Sequence, residues 1–116
     1  MRYMLLLHGR EEEVHAAPPE RVEEITAFLA RFEDELMSGS ELDWTEVLAS
    51  EVNALVVGPD GAARETWLNA EGLPLERVWV VRVADPDRAG AIAASLAAGV
   101  GAPVELRECL PSAQRP

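Results

Sequence analysis

The first ten residues, Met1-Arg2-Tyr3-Met4-Leu5-Leu6-Leu7-His8-Gly9-Arg10, form a run that is apolar at almost every position and reaches a histidine at its end. Side chains of a strand alternate between two faces, so a run apolar at odd and even positions alike is covered on both sides and sits in the middle of its sheet. Such a chain must supply neighbours for both edges of this strand and cover for both faces. Function is then to be sought in the few polar residues that share those faces.

The rest of the chain provides the neighbours. A polar segment, 9–19, leads to a helix expected over 20–38, whose apolar positions Val22, Ile25, Leu29, Phe32 and Leu36 recur every three or four residues. Pro19 and Gly39 punctuate its two ends. The pattern over 41–49 is weak and fits either an irregular strand or a short helical turn. Strands are expected over 53–57 and 62–67, joined by the turn Gly58-Pro59-Asp60-Gly61, with a loop over 68–76. A second strong strand, 77–84, puts Trp79, Val81 and Val83 on one face and Val78, Val80 and Arg82 on the other. Asp85-Pro86-Asp87 starts a second helix that runs to about Ala98, with Gly99 and Gly101 ending it. A last strand, 104–110, and a loose tail, 111–116, complete a single domain over 1–110.

This order is α+β: a ferredoxin-like βαββαβ arrangement with an extra hairpin strand. Two helices cover one face of the sheet only. The first and third core strands are expected as parallel neighbours, with the last strand antiparallel to the first. Tyr3, Leu5 and Leu7 should face the helices together with Trp79, Val81, Val83, Val104 and Leu106. The opposite face presents Met4, Leu6, His8, Val78, Val80, Arg82, Glu105, Arg107 and Cys109. An apolar patch on the order of several hundred Å² marks an interface or a ligand site, so a homodimer through the open sheet face is expected.

On these strand directions His8, Arg82 and Glu105 gather at one end of the sheet. A histidine, an arginine fork and a carboxylate make an acid/base or anion-binding constellation. The competing reading is a polar trio that satisfies itself, with Arg82 paired to Glu105. Trp67 lies beside a loop where it can line a pocket, whereas Trp44 and Trp79 read as core or interface.

Composition removes whole classes of function. A net charge of −11 over 116 residues opposes binding to nucleic acid and to anionic membranes. All ten basic residues are arginine, which excludes Schiff-base lysine chemistry and a phosphate-loop lysine. Cys109 is the only cysteine, so no disulfide closes within the chain. The first apolar run is too short for the core of a secretory signal, and 89–104 is shorter than the roughly 18 residues of a membrane span. A cytoplasmic location is therefore expected. There is no glycine-rich nucleotide fingerprint and no zinc spacing, so neither cofactor nor metal is expected. His15 after Glu11, Glu12 and Glu13 is a weak cation motif, read as solvated surface.

Residues 1–9, 32–42, 79–81 and 101–107 resemble the YCII-related, or DGPF-motif, family. The resemblance implies a dimeric α+β barrel. It also implies two departures: Trp67-Leu68-Asn69-Ala70 stands where the family has Asp-Gly-Pro-Phe, and Leu29 falls near the family's helix histidine. His8 is not the equivalent of that histidine, so the family's catalytic pair is not carried over. The chain is expected to be a dimeric binding protein for a small anionic or aromatic molecule, its cleft lined by His8, Arg82, Glu105, Arg107 and Trp67. The alternatives are an enzyme of the same superfamily using His8 as acid/base, and a protein-interaction module.

Overall fold

The computed structural model describes residues 1–10, 13 and 16–111. In chain order the elements are β1 (Arg2–His8), α1 (Pro19–Ser38), β2 (Leu42–Val47), a single 3-10 turn (Glu51–Asn53), β3 (Val56–Val57), β4 (Ala63–Arg64), β5 (Leu75–Arg82), α2 (Pro86–Val100) and β6 (Val104–Glu108). Four strands form one antiparallel sheet in the order β2-β5-β1-β6, and β3 and β4 pair separately. The fold is α+β, with β1 an inner strand as its two apolar faces demand.

One expectation about direction is overturned. β1 and β5 are antiparallel, with Arg2 opposite Arg82 and His8 opposite Leu75. The reason is connectivity. A helical crossover returns the chain to its original direction, so β2 follows the direction of β1, and β5, which pairs antiparallel with β2, opposes both.

The faces fall as the alternation requires. Tyr3, Leu5, Leu7, Trp79, Val81 and Val83 are buried against Phe32, Leu36, Ala89, Ile92 and Leu96 of the helices, with Val104 and Leu106 packed on this cluster. Trp79 is at its centre and fully buried. The Phe32 ring meets it edge-on with centroids 5.9 Å apart, its indole N–H donates to Glu33 Oε1 at 2.8 Å, and the Arg77 guanidinium lies 5.0 Å over its ring. Val22, Ile25 and Leu29, on the first turns of the apolar stripe, stay half-buried.

Helix ends follow local chemistry with two differences. The Asp85 carboxylate accepts from Arg88 N at 2.8 Å, and Pro86 opens α2. Gly101, at φ 68°, closes it by donating to Ala97 O at 2.9 Å. The helix thus runs through Gly99, which is absent of side chain for another reason: a Cβ there would collide with the Phe28 ring of α1. At the end of α1 the left-handed residue is Ser40, at φ 57°, rather than Gly39.

The weakly patterned 41–49 segment is strand β2, while the expected hairpin is shorter than its sequence suggested. Ser50 caps a turn over 51–53, accepting from Val52 N, and only Val56 with Arg64 and Val57 with Ala63 pair. A two-stranded ribbon without a third strand holds few pairs in water. Its turn is well built, with Asp60 Oδ1 accepting from Ala62 N at 2.9 Å.

Candidate functional site

The antiparallel pairing separates the expected trio. Arg82 lies beside Arg2 at one end of the sheet and His8 at the other. Arg82 Nε donates to Asp43 Oδ1 at 3.1 Å, and Arg2 Nε donates to Asp43 Oδ2 at 3.0 Å. The expected pairing of Arg82 with Glu105 therefore does not occur. Glu105 stands opposite Leu6 and Arg107 opposite Met4 on the edge strand β6, both exposed, with 4.0 Å between their charged groups. Cys109 is half-buried. His15, Glu11 and Glu12 lie outside the described residues, among which no group of acidic, histidine or cysteine side chains is placed to hold a metal.

What the structure does bring together is His8 and Trp67. Both line a cavity of about 470 Å³ whose remaining wall comes from 48–54 and 68–75, including Leu48, Ser50, Leu73 and Leu75. Trp67 Nε1 is buried and has no acceptor among the described residues. Buried indole donors find partners as a rule, and this one is enclosed away from the cavity space, so that what Trp67 offers the cavity is its ring. Trp67 reaches the site because the long excursion between β2 and β5 folds back beside the end of β1, where Gly9 N donates to Pro74 O at 3.0 Å and Leu48 N to Glu76 O at 2.9 Å.

His8 also lines a second cavity, of about 380 Å³, on the helix side of the sheet. Its polar residues include Arg10, Glu13, Glu76 and Arg77, and its apolar wall includes Val22, Ile25 and Leu29. Glu76 is the functional candidate that the sequence did not reveal. Leu7 pairs with Arg77 and His8 with Leu75, so Glu76 is the extra residue of a β-bulge. Glu76 and Arg77, consecutive in sequence, both line this cavity. Burial pushes the Glu76 carboxyl above the usual carboxylate range; Arg77 acts against that shift, and Glu51 and Glu13 add to it. Perturbed carboxyls in clefts are characteristic of functional sites.

No protein-family model matches the chain, and no curated protein matches it. Among solved structures, it is similar to 5-chloro-2-hydroxyhydroquinone dehydrochlorinase from Burkholderia phenoliruptrix AC1100 in complex with 2,5-dihydroxybenzoquinone. The likeness covers 100% of both chains, with a TM-score of 0.54 and 11% identity. At that identity the likeness is one of fold. It fits the α+β barrel architecture implied by the family resemblance. No helix among the described residues is long and apolar enough to cross a membrane.

Proposed function

We propose that the protein is a small-molecule-binding protein of the YCII-related kind, with the ferredoxin-like order of that fold, which works as a dimer through its open sheet face. The ligand is a small aromatic molecule bearing ring oxygens, held in the cavity between His8 and Trp67. The observation that carries this reading is the meeting of those two side chains, distant in sequence, on one cavity of ligand size. Trp67 supplies an aromatic ring on the cavity wall against which a ligand ring can stack. His8 supplies a polar group that donates or accepts according to its tautomer. Its reading as an acid/base catalyst is supported by the similar fold, whose solved example is an enzyme in complex with a small dihydroxyquinone.

Calorimetric titration with hydroxylated quinones and phenols tests the proposal. His8→Ala and Trp67→Leu are each expected to weaken binding at least tenfold, about 1.4 kcal/mol, while circular dichroism stays that of the parent. Arg82→Ala, at the far end of the sheet, should leave it unchanged. Undiminished affinity in both cavity variants overturns the assignment. A catalytic His8 further predicts turnover of a bound phenol that His8→Ala abolishes without loss of binding.

A further inference from the structure

The helix-side cavity contains a carboxyl, that of Glu76, which the fold half buries and to which no described residue donates a hydrogen bond. The Glu76 side chain lies so close over the Cα of Gly9 that a methyl group there would collide with its Oε2. No hydrogen bond reaches this carboxyl from any described residue. The charged groups acting on it are Arg77 of its own strand, Glu51 of the 3-10 turn and Glu13 of the segment after β1. His8 and Arg10 share the cavity wall.

The two cations nearby have other work. Arg77 Nη2 is held by Glu33 Oε1 at 2.7 Å, with its guanidinium stacked on Trp79. Arg10 Nη2 donates to Gly72 O at 3.2 Å. A desolvated carboxylate with two further carboxylates acting on it gains most from a proton or a cation. Aliphatic side chains, Val22, Ile25 and Leu29, line the same cavity. The volume of about 380 Å³ suits a small organic ligand.

We propose that this cavity is a second binding site, selective for a small organic amine whose ammonium pairs with Glu76 and whose hydrocarbon body lies on Val22, Ile25 and Leu29. A carboxylic acid of the same shape meets like charge from Glu76, Glu13 and Glu51. The corresponding alcohol satisfies the hydrogen bond but not the charge. The net charge of −11 steers cations toward the protein and anions away.

Titration of the full chain with benzylamine, benzyl alcohol and benzoate decides the matter. Benzylamine is expected to bind at least tenfold more tightly than the alcohol, and benzoate not to bind. Amine affinity should rise with pH as Glu76 loses its proton, and Glu76→Gln should abolish that rise and weaken amine binding at least tenfold. Glu76→Gln also removes a desolvated charge, so its thermal midpoint should be kept or raised. Leu29→Trp, which fills the cavity, should exclude the amine, whereas Trp67→Leu in the other cavity should not. No amine binding, equal binding of amine and alcohol, or undiminished amine affinity in Glu76→Gln overturns the proposal. Quinone binding lost in Trp67→Leu with amine binding intact separates this site from the first.

Discussion

Glu33 is the acceptor on which two side chains of β5 depend: its Oε1 takes both Trp79 Nε1 at 2.8 Å and Arg77 Nη2 at 2.7 Å. Glu33→Ala leaves a fully buried indole donor unpaired and releases a guanidinium that covers it, which should cost about 2 to 3 kcal/mol in urea denaturation. Glu33→Gln keeps a carbonyl acceptor for the indole and should recover about half of that loss. Gly99 makes a complementary case, in which two effects of opposite sign can be weighed. Alanine gains about 1 kcal/mol of helix propensity over glycine, but its Cβ would collide with the Phe28 ring, and overpacking costs about 1 to 3 kcal/mol. Gly99→Ala is therefore expected to lower the denaturation midpoint, and adding Phe28→Leu to restore it. The sequence marks Gly99 only as a helix breaker, because the ring that needs the space belongs to another helix.

At the scale of elements, the two bulges decide where charge goes. Strand faces were legible from sequence because alternation is a local property, and Tyr3, Leu5 and Leu7 lie against the helices as their spacing requires. Strand direction was not, because it follows from the crossover between β1 and β2, and with it went the expected gathering of His8, Arg82 and Glu105. Glu76 stayed hidden for a related reason: nothing in Leu75-Glu76-Arg77 announces an extra residue. In β2 the register shift between Leu42 and Trp44 likewise sets Asp43 outside the ladder, where its carboxylate joins Arg2 and Arg82. Hydrogen bonds from Arg82 and then Arg2 hold the Asp43 carboxyl below its usual range. A folded-state pKa below the unfolded one contributes stability that is present above the ordinary aspartate value of about 4 and is lost as pH falls through the folded value. Asp43→Asn should accordingly be less stable than the parent at pH 7. The difference between them should close as the buffer is taken below about pH 4, which urea melts at a series of pH values will show. A gap that persists undiminished in strong acid would mean that Asp43 acts through shape rather than charge.

The whole molecule is flat, 45 × 44 × 19 Å, the thinnest dimension being one sheet and one layer of helices. The sheet face away from the helices carries two rows of positions across the strands: Trp44, Val80, Met4 and Arg107 in one, and Glu46, Val78, Leu6 and Glu105 in the next, with Val80 and Val78 themselves buried. The proposed dimer stacks this face on itself, so its twofold axis lies between the two sheets. An axis along the strands would set each Glu46 over Glu105 of the second copy. An axis across the strands instead sets Arg107 over Glu105 of the second copy, twice, with Met4 over Leu6 and Trp44 over Glu46. The second arrangement pairs opposite charges at the β6 edge where the first opposes like ones, and it is the one expected. Sedimentation should show a dimer at micromolar concentration, with Leu6→Glu dissociating it while the far-ultraviolet dichroism is kept. Arg107→Glu places four carboxylates in opposition and should weaken association about tenfold, about 1.4 kcal/mol, and more at low salt, because these groups are exposed. The exchange Glu105→Arg with Arg107→Glu then discriminates between the axes. It restores the parent dimer if the axis crosses the strands, since both pairs are merely inverted. It tightens the dimer beyond the parent if the axis follows them, since Glu46 would then face an arginine.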